Sequence, residues 1–261
     1  MRKCFRCKSL TSSATPKDID NFIKRIEPLD LLVFRGADVV SNTIRVLQKM
    51  QNADDSFSHV EVAITREWCS KIKNISTPLD TMYSWGSTLS GNLNDGVVNI
   101  ETGKSKFGVQ IRSLHDLVTA YIKTPGANVG VCNLINNPTK RRNGESDVQY
   151  TSRCIILKRN IARAYKKYNS CYYEFNPTAL LGALFPRLRF LRDITEILID
   201  IEVVDKWLFC SEFVALIYIA TGVIDSTVCA ANVVPVDFNG AETDVGGIGL
   251  ICGDAKWILQ S

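Results

Sequence analysis

The sequence predicts an α+β protein, and three observations carry that reading. Short runs with strand-like alternation crowd the first half of the chain, longer runs with helical spacing dominate the second, and no internal repeat orders them into βαβ units. The 261 residues are enough to bury a substantial core, and the 46% hydrophobic and 22% charged content is that of a globular domain. A formal net charge of +4 is mild, well below that of a protein built to bind nucleic acid by charge alone.

Taken in order, residues 1–25 read as a flexible polar arm that includes a short helix over "TPKDIDNFIKRI". "LDLLVFRG" predicts a strand closed by Gly36, and "ADVVSNTIRVLQKMQ" follows with helical spacing. "DSFSHVEVAIT" predicts a second strand. Residues 66–96 are rich in turn formers and read as an inserted segment able to act as a lid. "VVNIETG" and "GVQIRSL" predict two more strands, "SLHDLVTAYI" a helix with His115 toward solvent, and "NVGVCNLI" another strand. After a polar loop at 136–150, "VQYTSRCIILKRNIARAYKKY" predicts a helix with a basic stripe. "LLGALFPRLRFLRDITEILIDI" mixes apolar and basic residues around Pro186, a combination that suits a membrane interface. "LFCSEFVALIYIATG" predicts a buried helix capped by Gly222.

The nine cysteines are scattered and odd in number, and the first residues lack the apolar centre of a signal peptide. Reduced thiols in a cytosol-like compartment are therefore expected. "CFRCK" is a lone C-x-x-C, weak as a zinc motif, and no metal or other cofactor is expected. Flanked by basic residues, Cys4 and Cys7 also suit acylation at an anionic membrane.

Two stretches carry chemistry. Alternation through "DSFSHVEVAIT" puts Phe57, His59, Glu61 and Ala63 on one strand face, so one of only two histidines shares an otherwise apolar strand with a carboxylate. In "LFCSEF" the polar residues Cys210, Ser211 and Glu212 occupy the first turn of an apolar helix. A thiol there meets the positive end of the helix dipole and free backbone N–H groups, which favour thiolate and can hold an oxyanion. A neighbouring imidazole would take the thiol proton.

The ordered set "D-apolar-apolar" strand, "S-H-V" strand, "apolar-E" strand and, much later, "C-S-E" helix resembles the circularly permuted NlpC-type papain-like cysteine hydrolases. That group has bacterial and large-DNA-virus members and is related to the lecithin:retinol acyltransferase-like enzymes. The resemblance spans roughly residues 28–225 and implies a single papain-like domain over 26–261, an antiparallel sheet packed on helices with the nucleophile opening a buried helix. It implies Cys210 as nucleophile, His59 as general base and Glu101 as the third member of a catalytic triad. Asp30 then opens the first strand, and Tyr173 in "CYYEF" stands near the site with Ser211 and Glu212. Leu29 replaces the family's glycine, and Glu61 stands where a small residue is usual. Glu101 is preferred over Glu61 because a cross-strand neighbour lies about 5 Å away and a residue two along the same strand about 6.6 Å.

The expected activity is thiol hydrolysis of an amide or ester bond, of peptidase or amidase type, on a peptide or acyl-lipid substrate. The alternatives are a lipid acyl hydrolase or acyltransferase at a membrane surface, and an inactive binding or structural module on the same fold. A virion-associated or membrane-peripheral location accompanies these readings. Nucleic acid is not an expected partner, since the basic stripe lacks interleaved aromatics.

Overall fold

The computed structural model describes residues 14–37, 41–42, 44–46, 57–72, 77–88, 96–104, 106–173, 207–238 and 256–257. Cys4, Cys7, most of the segment at 38–51 and the "LLGALFPRLRFLRDITEILIDI" stretch lie outside the described residues. The chain is α+β. An antiparallel sheet of six strands runs in the order β4-β3-β2-β1-β5-β8, with β1 Leu31–Arg35, β2 His59–Thr65, β3 Met82–Thr88, β4 Gly108–Ser113, β5 Asn128–Cys132 and β8 Lys256–Trp257. A short parallel pair, β6 Tyr172–Tyr173 and β7 Trp207–Leu208, stands beside it. The helices are α1 Pro16–Ile23, α2 Leu114–Lys123, α3 Asp147–Tyr168 and α4 Cys210–Thr221. Among the described residues no helix is long and apolar enough to cross a membrane.

Strand alternation sorts the apolar side chains onto two faces. Leu31, Val33, Val60, Val62, Ile64, Trp85 and Ile111 pack against α4 and α3, with Trp85 meeting Phe213 edge-on at 5.2 Å between ring centroids. Leu32, Phe34, Ala63, Val129 and Val131 pack on the other face against α1 and α2. The helices start where their caps dictate. Thr15 and Asp18 form a capping box ahead of α1, and Ser146 and Gln149 form another ahead of α3. At its C-terminus α4 ends on Gly222, whose φ of 73° is the left-handed cap anticipated from the sequence.

Two expectations are corrected. Residues 82–88 fall inside the stretch read as an insertion, yet they form β3, an internal strand of the sheet. "VVNIETG" contributes no strand: Asn99 makes one bridge to Arg112, and the chain then turns through 100–104. The strand beside His59's strand on that side is therefore β3, and residue 101 lies beyond β4.

Asp30 is buried and clamps the sheet to the loop after β5. It accepts from the Glu27 N–H at 2.9 Å, the Leu134 N–H at 3.0 Å, and the side-chain amides of Asn133 at 2.6 Å and Asn137 at 3.2 Å. Burial raises the Asp30 carboxyl above its ordinary value while these bonds pull it down. The polar loop is thus tied to the core at its start. Leu29 has φ 71°, a left-handed backbone that costs a side-chain-bearing residue about 1 kcal/mol or more. It is fully buried, which returns roughly 1.5–3 kcal/mol, so leucine is tolerated where the resembled family carries glycine.

Candidate active site

The site begins at the end of a strand ladder. The β2–β3 ladder runs from Thr65–Met82 to Val62–Trp85 and stops just short of His59, Glu61, Gly86 and Ser87. At this end of the ladder the Ser87 hydroxyl donates to the Leu208 carbonyl at 2.7 Å. Two residues after that anchor, Cys210 opens α4. The β6–β7 pair reinforces the position: Tyr173 pairs with Leu208 and packs edge-on against Phe209, and the Val109 N–H donates to the Cys171 carbonyl at 2.9 Å. Tyr173 therefore braces the approach to Cys210. The Ser211 hydroxyl donates to the Val233 carbonyl at 2.7 Å and fastens the helix start to the following segment, while Glu212 shares the first turn. The cap residue Phe209 offers no side-chain acceptor to the first-turn N–H groups.

Cys210 is buried, and its sulfur acts on the largely buried His59 side chain by charge and hydrogen bonding. On its other side, His59 Nε2 meets Glu61 Oε1 at 2.8 Å. The ring also lies tilted against Phe34, 5.5 Å between centroids, and Phe34 in turn touches Tyr121. Burial alone would lower the imidazole; the charges and hydrogen bonds of Cys210 and Glu61 outweigh it and push His59 up to about 10.

Glu61 is the centre of the polar cluster. Arg112 Nη2 donates to Oε1 at 2.6 Å, and the Ser84 hydroxyl donates to Oε2. Glu61, Ser84 and Arg112 are all buried, so the cluster is enclosed within the protein. Burial would raise the Glu61 carboxyl, but Arg112, His59 and Ser84 overcome it and hold it down at about 2. Register explains the convergence: Ala63 pairs with Ser84 and Ser84 with Arg112, which puts Glu61, Ser84 and Arg112 on one face. Gly86 makes room for the carboxylate. A Cβ there would sit 2.3 Å from Glu61 Cγ and 2.6 Å from Cδ, so a larger residue would evict the side chain.

Glu101, expected to orient the imidazole, does not occupy that position. It accepts from the Tyr165 hydroxyl and, at 2.9 Å, from the Asn169 amide, tying the turn after Asn99 to α3. Burial and then Glu101 raise the Tyr165 phenol. Residues 97–103 do not form the strand beside β2, so the cross-strand spacing of about 5 Å does not apply to Glu101. The Glu61 side chain is long enough to swing along its own strand, and its oxygen reaches the ring where the Cα spacing suggests a gap. His115 is exposed on α2.

Arg112 and Ser84 were missed in the sequence. The available signal was positional: Gln110 and Arg112 recur at alternate places in an otherwise apolar strand, a pattern that for an interior strand demands a buried partner. No protein-family model, curated protein or solved structure matches the chain.

Proposed function

We propose that the protein is a thiol hydrolase of the permuted NlpC-type papain-like class, with Cys210 as nucleophile, His59 as general base and Glu61 as the residue that orients the ring. The observation that carries this reading is His59 bonded to a buried, charge-paired Glu61 while Cys210, at the start of a buried helix, acts on the same ring. With Arg112 keeping Glu61 ionised, its oxygen can only accept, so Nε2 holds a proton toward it and Nδ1 is the ring nitrogen left to exchange a proton with the sulfur. In the reaction the thiol proton of Cys210 resides on His59 as the sulfur attacks an amide or ester carbonyl. The first-turn N–H groups of α4 stabilise the oxyanion, and His59 returns the proton to the departing amine or alcohol. Water, deprotonated by His59, then attacks the thioester, releasing the acid and restoring the thiol. Transfer to another acyl acceptor would follow the same course. Arg112 and Ser84 act through Glu61 and are positioning residues.

Competitive labelling with iodoacetamide near neutral pH tests the reading, with each cysteine quantified by peptide mass spectrometry. Cys210 is expected to react first despite being buried, ahead of the exposed Cys229. If Cys210 reacts no faster than Cys69 or Cys132, the site is not an activated thiol and a binding module on the same scaffold becomes the better account.

A further inference from the structure

Residues 140–167 hold nine lysines and arginines against two carboxylates, whereas the whole chain carries 31 against 27. The basic charge of this protein is therefore gathered on α3 and the loop before it. Part of it is internally neutralised: Arg153 is bound to Glu145 at 2.7 Å, Arg141 to Asp147 at 2.5 Å and Lys158 to Glu67 at 3.2 Å. Arg159, Arg163 and Lys166 are exposed, and their side chains pair with no carboxylate among the described residues; Arg142 is also exposed and stands beside Glu145, whose carboxylate accepts from its backbone N–H. Arg159, Arg163 and Lys166 follow one another at helical spacing on the outer face of α3.

The same outer face is apolar at its other end. Val148, Ile155 and Ile156 are 76%, 54% and 55% exposed, and Ile135 is 53% exposed on the adjoining loop. Ile135 and Ile156 are continuous through a recess of about 380 Å³, lined also by buried Leu134 and Leu157 and by Asn136, Asn160 and Arg142. Aliphatic side chains held out beside unneutralised guanidinium groups match a surface that offers hydrocarbon and phosphate together. They do not match single-stranded nucleic acid, which would call for aromatic platforms.

We infer that the outer face of α3, with Ile135 and Arg142, docks on a bilayer containing anionic phospholipid. Val148, Ile155, Ile156 and Ile135 enter the acyl boundary, and Arg142, Arg159, Arg163 and Lys166 meet the phosphates. The inference is independent of the thiol chemistry, since none of these residues belongs to the site around His59.

Sedimentation of the full-length protein with vesicles tests it, comparing phosphatidylcholine alone with phosphatidylcholine containing phosphatidylserine at near-physiological salt. The protein should pellet with the anionic vesicles and remain in solution with the neutral ones. Arg159→Glu combined with Arg163→Glu should cut the partition coefficient about tenfold or more. Ile155→Ser combined with Ile156→Ser should also weaken it severalfold with the charges intact. All four side chains are exposed, and unchanged thermal unfolding of the variants certifies their fold. Equal behaviour with both vesicle types, or charge-reversed protein that binds like the parent, would overturn the inference. An oligonucleotide shift abolished by the arginine substitutions, without vesicle binding, would assign the face to nucleic acid instead.

Discussion

Glu61→Ala is expected to destabilise the protein by roughly 3–5 kcal/mol, because it removes one partner of the buried Glu61–Arg112 ion pair. Urea unfolding followed by circular dichroism measures this as a lower midpoint at unchanged slope. Glu101→Ala is the control. Its carboxylate is half-buried, accepts from the Tyr165 hydroxyl and the Asn169 amide and feels the charge of Lys106, so a loss of about 1–2 kcal/mol is expected. Equal losses in the two variants would mean that Glu61 is not the charge on which the site is built. The depressed Glu61 carboxyl adds a pH signature. Its stabilisation is full above the ordinary value of 4.5 and is lost as pH falls toward about 2. Glu61→Gln should flatten that acid limb while preserving shape.

The second large effect is kinetic. His59→Ala should slow alkylation of Cys210 near neutral pH on the order of a hundredfold, the scale of a positioned general base. Glu61→Gln should give a smaller loss, since the imidazole remains but its orientation and proton preference weaken. Glu101→Gln should leave the rate at the parent level. A rate untouched by His59→Ala would show that the helix terminus alone governs the thiol.

Much of this arrangement was legible in the sequence, and the failures have a common physical cause. β1, β2, β4 and β5 advertise themselves through β-branched alternation, and α4 through its apolar run and the glycine that closes it. His59 and Cys210 could be singled out because each is polar at the start of an apolar element. β3 hides because "MYSWGST" has one face made of Ser84, Gly86 and Thr88, residues that ordinarily mark turns. Here Ser84 and Gly86 serve the buried Glu61, one by donating to it and the other by leaving it space. Missing that strand moved the neighbour of β2 along the chain and drew the orienting role to Glu101. Arg112 was overlooked for a related reason: a lone arginine in a strand usually faces water, and only its partner from 51 residues earlier explains its burial.

The central claim is the contact between His59 and Cys210, and NMR titration of the His59 ring tests it most directly. In the parent protein the imidazole should remain protonated through neutral pH and titrate near 10. Cys210→Ser removes the ionisable sulfur while keeping a small polar side chain, and the His59 midpoint should fall clearly below the parent value. Identical His59 titrations in the two proteins would contradict the account, because the sulfur would then exert no influence on the ring.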